Sequence, residues 1–147
     1  MKFGVNTFIW SSSIDKTVLD LLPVFKEKGF DGFECPLFRA SEFPAAELRK
    51  AADANGLEFT LCAVLVDGHN LIDPDAAGRK KSIAHVRDLI QAAAEAGAKI
   101  LAGPIYSPVG YLPGRRRTTD EWNWAVEAHQ ALGDTLQAAV QARRSGI

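Results

Sequence analysis

The feature that most constrains the fold of this chain is a unit that occurs four times: a short β-prone run, a loop, an amphipathic helix and a glycine turn. The glycines of these turns include Gly29, Gly56 and Gly97. Glycine at this position ends a helix in the left-handed conformation and turns the chain into the next strand. Because strands alternate with helices, the connections are predicted to be parallel βαβ crossovers and the chain an α/β protein.

Hydrophobic spacing and capping residues give the approximate bounds of these elements. Pro36 is predicted to halt the second strand, and Ser13 or Asp15 is predicted to cap the first helix. Thr118 and Glu121 match a capping box at the beginning of the fourth helix. The predicted strands are residues 2–6, 32–35, 58–64 and 99–102, and the helices after the first are residues 45–55, 75–96 and 118–140.

Four βα units make half of an eight-unit TIM barrel, which predicts a (βα)4 half-barrel with parallel strand order 1-2-3-4. An open doubly wound sheet with order 2-1-3-4 is an alternative, as is a flattened sheet whose inner face is covered by the loops at residues 8–13 and 106–117. No GxGxxG or GxxxxGK[ST] motif follows a strand, so neither a dinucleotide site nor a nucleoside triphosphate site is indicated.

Composition and charge narrow the class of protein. The 147 residues are 47% hydrophobic and 24% charged, with a net charge of -1, which is typical of one globular domain. The longest run of like charge is the short segment 115–117, so no nucleic-acid or membrane partner is expected. Cys35 and Cys62 lack metal-ligand spacing, and the sequence shows neither a signal peptide nor an apolar run of about 18 residues. We therefore expect a cytoplasmic protein with free thiols.

Four segments of the sequence resemble one known family. They are residues 1–6 with Trp10, residues 29–34, Asn70-Leu71 with Asp73 and Arg79, and residues 96–99 with Gly103. Together these motifs resemble the N-terminal half of the xylose isomerase-like barrels, the sugar phosphate isomerases and epimerases. Within that family the sequence is most similar to ketose 3-epimerases of the tagatose or psicose type.

The resemblance implies a metal-dependent isomerase or epimerase that transfers a proton at the carbon next to a ketose carbonyl. In the family, one divalent ion (Mn²⁺, Mg²⁺ or Co²⁺) is held by two Glu, an Asp and a His on the later strands, positions that this sequence does not reach. Residues 141–147 are polar and basic and do not predict a fifth strand. We therefore expect residues 1–147 to form a single truncated barrel domain without catalytic residues or metal ligands of its own.

What the sequence does contain is the first-half wall of the family's pocket. The resemblance implies substrate-lining residues at the strand ends, and position after a strand adds Trp10 and His69. The expected substrate-binding residues are Asn6, Phe8, Trp10, Glu34, Cys62, Val64, His69 and Tyr106, with Pro104 beside the last. A psicose-type epimerase would carry Tyr or Phe near position 6 and Trp near position 109 or 110, so the resemblance does not imply a particular sugar.

Several of these residues have a structural alternative. Glu34 is either a substrate ligand or a satisfied structural carboxylate. His69 is either a solvated loop residue or a sugar contact, and Asp67, His69 and Asp73 do not match the spacing of a recognised metal site. Cys62 has no histidine or aspartate placed to activate it, so we expect it to pack rather than react.

A half-barrel also poses a problem of stability, because open sheet edges and an apolar inner face are unfavourable in an isolated domain. Two copies related by a twofold axis would close an eight-stranded barrel, so we expect a homodimer. Two hypotheses follow. The chain is either one wall of a metal-dependent sugar or sugar phosphate isomerase or epimerase, or a non-catalytic half-barrel assembly module that homodimerises.

Overall fold

The computed structural model describes residues 1–66 and 68–145. Strands and helices alternate along the chain, and short 3-10 segments follow the first two strands. The strands are β1 (Gly4–Asn6), β2 (Gly32–Leu37), β3 (Glu58–Ala63) and β4 (Leu101–Ala102), and the helices are α1 (Lys16–Glu27), α2 (Ala45–Asn55), α3 (Ala76–Glu95), α4 (Thr119–Ala131) and α5 (Gly133–Ser145). None of the helices in these ranges is long and apolar enough to cross a membrane.

The four strands form one parallel sheet in the order β1-β2-β3-β4. This order confirms the predicted half-barrel and shows that the alternative order 2-1-3-4 is wrong. Each strand pairs with its neighbour in the chain, and Asn6, Glu34 and Thr60 are in register across β1, β2 and β3. The two edges of the sheet are therefore β1 and β4.

The main hydrophobic core lies on one face of the sheet, which we call the outer face because α1, α2 and α3 pack on it. Alternate residues of β2 and β3 point to this face and are almost fully buried, namely Phe33, Cys35, Leu37, Leu61 and Ala63. They pack with helix residues that include Leu22, Leu48 and Leu89. Because side chains alternate along a strand, the residues between them point to the opposite, inner face.

The inner face is open. Ile100, directly before β4, is 54% exposed, and Thr60, Cys62 and Val64 are only half-buried. In the loop at residues 8–13, the ring of Trp10 does not lie over this face but 5.3 Å from that of Phe25 in the outer core. The structure therefore does not have the flattened, loop-covered sheet that was the second alternative.

The predicted fourth helix is in fact two helices. Helix α4 ends at Ala131 and α5 begins at Gly133. Between them, Leu132 is buried in a second apolar cluster with Leu65 and Val86. Glycine is a weak helix former, so the chain bends where Leu132 is anchored, and α5 then packs along α3.

The ends of all four strands also differ from prediction, and β3 ends at Ala63, one residue earlier than predicted. Pro36 does not halt β2, which continues to Leu37. Strand β1 ends at Asn6, which is in register with Glu34, so at Pro36 the side of β2 that faces β1 has no strand beside it. Proline lacks an N–H group, and at this free edge its absence removes no hydrogen bond between strands. The edge strands β1 and β4 are shorter than predicted because each has a neighbour on one side only.

The helix caps agree with those predicted from the sequence. Asp15 caps α1 by accepting a hydrogen bond from Val18 N at 3.2 Å. Thr118 and Glu121 form the predicted capping box of α4. Gly56 ends α2 in the left-handed conformation, with φ of 59°, as the glycine-turn pattern predicts.

Candidate functional site

Three polar side chains form a row across the inner face. Asn6 is the last residue of β1, and Glu34 and Thr60 lie beside it in β2 and β3. Asn6 Nδ2 donates to Glu34 Oε1 at 2.8 Å, and Thr60 Oγ1 donates to Glu34 Oε2 at 3.3 Å. The row thus holds one carboxylate by both oxygens on the open side of the sheet, and we call it the polar row.

Asn6 connects the polar row to the loop after β1. Its Oδ1 accepts from Phe8 N at 2.8 Å and caps the 3-10 turn Thr7–Ile9, while its Nδ2 donates to Glu34. Because the amide is bonded at both ends, Asn6 and the Glu34 carboxylate orient each other. The second Nδ2 hydrogen of Asn6 and the remaining lone pairs of Glu34 are left for a ligand.

The polar row lines a cavity of about 530 Å³. At the beginnings of the strands this cavity is lined by Glu58, which pairs with Lys2 at 2.8 Å and with Lys99 at 3.5 Å. The hydrogen bond and charge of Lys2, followed by the charge of Lys99, lower the pKa of Glu58. A cavity of this size, with a few polar groups fixed on strands, has the dimensions of a small-molecule site.

The two thiols near the polar row are free. Burial raises the pKa of both Cys35 and Cys62, and the negative charge of Glu34 raises each pKa further. The thiolate is the nucleophilic form of cysteine, so a raised pKa makes Cys62 a poor nucleophile. This environment supports the interpretation of Cys62 as a packing residue on the inner face.

Of the predicted substrate-lining residues, Asn6 and Glu34 line the cavity and contact each other directly. Phe8, Cys62 and Val64 do not line it. Cys62 and Val64 follow Thr60 on the inner side of β3 and of the chain just beyond it. The ring of Phe8 lies 5.7 Å from that of Phe38, beyond the ends of β1 and β2. These aromatic rings lie at the carboxyl end of the sheet, where barrel enzymes place their substrates.

Three other predicted residues contact groups outside the cavity. Trp10 packs on Phe25 of α1, and His69 stacks on His85 of α3. Tyr106 lines a separate apolar groove beside α4. Pro104 is exposed, and Asp67 lies outside the described residues. A role in substrate binding for these residues stays a prediction.

The sequence analysis missed two residues. Thr60 gives no motif, and its only signal is that it aligns with Glu34 once the strands are placed in parallel register. The second is His85, whose helical position concealed its contact with His69. In both cases the informative property is a contact between segments that are distant in the chain.

The loop between β4 and α4 is held by the buried carboxylate of Glu121. Arg115 donates to its two oxygens at 2.8 and 2.9 Å, Tyr111 Oη donates at 3.3 Å, and Thr118 N donates at 2.7 Å. These hydrogen bonds, that of Arg115 foremost, lower the pKa of Glu121 to about 2. Arg115 is therefore engaged in holding the loop.

Comparison with known proteins identifies the family. The family model described as "Xylose isomerase-like TIM barrel" matches residues 22–142. This chain belongs to the xylose isomerase-like TIM barrel family, as its motifs and its strand order indicate.

The most similar relatives include ketose epimerases. A "probable ketose 3-epimerase" of Synechocystis sp. is 31% identical over 136 residues, covering 92% of this chain and 47% of the relative. The crystal structure of D-allulose 3-epimerase from Methylomonas sp. superimposes with a TM-score of 0.84 at 19% identity, covering 95% of this chain and 49% of that one. D-psicose 3-epimerase from Clostridium cellulolyticum H10, with D-tagatose, gives 0.79 at 20% identity, covering 95% and 50%. This chain spans about half the length of the relatives it matches.

The donor set of this half does not fit a divalent cation. Within residues 1–66 and 68–145, no group of three or more His, Cys, Asp and Glu side chains is arranged to hold a metal ion. The polar row supplies one carboxylate, one amide and one hydroxyl, two of which are already bonded to the third. Hard divalent cations take six or more oxygen ligands, usually with several carboxylates among them or with substrate groups and water.

Proposed function

We propose that this chain forms one wall of the substrate site of a sugar or sugar phosphate isomerase or epimerase, as a single half-barrel domain of residues 1–147. The observation that carries the proposal is the polar row of Asn6, Glu34 and Thr60 on the open inner face. Sugars present many hydroxyl donors, and a fixed carboxylate with free lone pairs accepts hydrogen bonds from them. Family membership and the names of the relatives support a ketose as the class of substrate.

In this proposal, Glu34 binds and orients hydroxyl groups while proton transfer next to the ketose carbonyl is performed by groups outside this half. Asn6 and Thr60 hold the carboxylate on rigid strands, so little orientational freedom is lost when a hydroxyl docks. The divalent cation expected for the family would likewise be held elsewhere. We also propose a cytoplasmic location, since two free cysteines suit a reducing compartment.

Sugar binding to this chain is expected to depend on Glu34. Titration of D-tagatose or D-allulose into isotope-labelled protein should shift the amide signals of β1, β2 and β3 with a Kd on the order of millimolar, because a single wall contacts the sugar. In Glu34→Gln, one carboxylate oxygen is replaced by an NH2 group, which faces either the Asn6 amide or the Thr60 hydroxyl, both of which donate to Glu34 in the original chain. The Kd measured in the same NMR titration should therefore rise at least about tenfold.

Glu47→Gln, on the exposed side of α2, is the matched control and should bind like the original chain. Equal affinity of Glu34→Gln and the original chain, both folded by circular dichroism, would remove Glu34 from the site. In a separate assay, epimerisation of these ketoses by this chain with added Mn²⁺ should be undetectable. Measurable turnover would show that the chain carries its own acid–base residues.

A second candidate function, an assembly module that homodimerises, is favoured by apolar surface at both edges of the sheet. Phe3, directly before β1, is 58% exposed, and Ile100, directly before β4, is 54% exposed. Helix α4 borders an apolar groove of about 830 Å³ in which Trp122 is half-exposed. An exposed apolar groove of this kind marks an interaction site.

A second copy of the chain fits these edges. Rotation by a twofold axis along the barrel would place its β1 beside β4, with all strands parallel, and would close both edges at once. Lys2 and Lys99, at the beginnings of the edge strands, are both paired with Glu58, which reduces their repulsion when the edges meet.

Trp122→Glu is expected to dissociate this dimer. A tryptophan buried at an interface commonly contributes 2 kcal/mol or more to binding, so the dimer Kd from sedimentation equilibrium should rise at least about thirtyfold. Ala46→Glu, exposed on α2 in the middle of the half-barrel, is the control and should leave the Kd unchanged. An original chain that stays monomeric at all concentrations, or a dimer indifferent to Trp122→Glu, contradicts this interface.

A further inference from the structure

Two histidines stack outside the proposed sugar site. The imidazole of His69, in the loop after β3, and that of His85, in α3, have centroids 4.0 Å apart and planes inclined by 23°. His69 Nδ1 and His85 Nε2 are buried, and among the described residues neither has a hydrogen-bond partner. Buried polar nitrogens normally have partners, so this pair is an exception that calls for an explanation.

The surroundings of the pair oppose a positive charge. Burial is the main cause that lowers the pKa of both rings. The charges of Lys81 on α3 and Arg39 after β2 lower the pKa of His69, and His69 and Arg39 lower that of His85. Asp88 and a hydrogen bond to the backbone of Phe38 act in the opposite direction on His85 but do not reverse the shift.

The stack joins the loop after β3 to helix α3. The two residues after His69 contact two other elements. Asn70 N donates to Ser82 Oγ of α3 at 2.7 Å, and Leu71 N donates to the carbonyl of Tyr106, in the loop after β4, at 3.1 Å. The position of this segment therefore affects the loop after β4 as well. A proton added to His69 would face Lys81 and Arg39, and one added to His85 would face His69 and Arg39. At His69 Nδ1 or His85 Nε2 the proton would have no acceptor among the described residues.

We propose that the His69–His85 stack is a pH-sensitive latch that holds the loop after β3 on α3 when both rings are neutral and releases it when they are protonated. The folded pKa of each ring lies below the unfolded value of 6.5. The stabilisation by neutral rings is therefore complete above about pH 6.5 and is lost as the pH falls below it, through the lowered pKa values. Release separates the rings and exposes their nitrogens to water.

The latch can be tested by amide hydrogen exchange of Asn70 and Leu71 in the original chain at pH 7.5 and pH 5. After correction for intrinsic rates, exchange should be at least about tenfold faster at the lower pH, as expected for local opening. His85→Phe and His69→Phe each keep a flat ring in the stack but remove one titrating group. In each variant the change with pH should be smaller than in the original chain, and in the double variant it should fall to about twofold or less.

His129→Gln is the control, because this exposed histidine lies on α4, outside the stack, and its replacement should leave the acid response intact. NMR titration of the imidazole signals provides the second measurement and requires no variant. A pKa at or above 6.5 for both His69 and His85 would overturn the proposal. So would an acid response of Asn70 and Leu71 that persists unchanged in both Phe variants.

Discussion

Gly103→Ala is expected to destabilise the fold by at least about 4 kcal/mol, the largest effect predicted for this chain. Gly103 directly follows β4 and has φ of +130°, which residues with a side chain rarely adopt. A Cβ at this position would also collide with the carbonyl oxygen of Ala63 at the end of β3. Relief would require β4 to move away from β3, to which it is joined by only two residue pairs in register.

Urea unfolding followed by circular dichroism measures this effect, and a Gly103→Ala chain that is already unfolded without urea meets the expectation. Gly133→Ala is the matched control, because a Cβ there meets nothing within 4 Å and the residue lies at the beginning of α5. Alanine is the better helix former, so this variant should be unchanged or up to about 1 kcal/mol more stable. If Gly103→Ala unfolds at the same urea concentration as the original chain, the close contact between β3 and β4 is wrong.

Leu61→Ala is expected to cost about 3 kcal/mol of unfolding free energy. Leu61 is fully buried on the outer side of β3, where α2 and α3 pack, and its truncation leaves a cavity in the main core. The measurement is again the urea midpoint, with the slope of the transition checked to be constant so that the difference reports stability alone.

Cys62→Ala, one residue further along the same strand, provides the contrast. Cys62 points to the inner face and is only half-buried, so its truncation should cost no more than about 1 kcal/mol. Similar losses for Leu61→Ala and Cys62→Ala would mean that both faces of β3 are packed. That result would contradict an open inner face and, with it, the site that the polar row defines.

The repeated unit carried most of the information about the fold. Glycines such as Gly56 and capping residues such as Asp15 and Thr118 act on the nearest turn of chain, so their effect can be inferred from neighbouring residues alone. The predictions of element ends are wrong where the outcome depends on a segment that is distant in the chain. Pro36 is tolerated because β1 has already ended, and the helix breaks before Gly133 because Leu132 is anchored in a second cluster.

The candidate site was harder to predict for the same reason. Glu34 stands out in the sequence as a charge in an apolar run, but its partners depend on the register of three strands. Trp10 and His69 follow strands, as pocket residues do, yet their rings pack on Phe25 and His85 of helices. The position of a residue after a strand predicts which end of the sheet it occupies and does not predict the direction of its side chain.

The neighbour order of the strands has a consequence for synthesis. Every strand of this sheet pairs with the strand made just before it, so each unit can dock as soon as it leaves the ribosome. No part of the sheet has to wait, unpaired, for a segment that has not yet been translated. The growing sheet therefore keeps the same open edge at β1 and gains a new one with each strand, and any step that joins the first strand to another segment comes last.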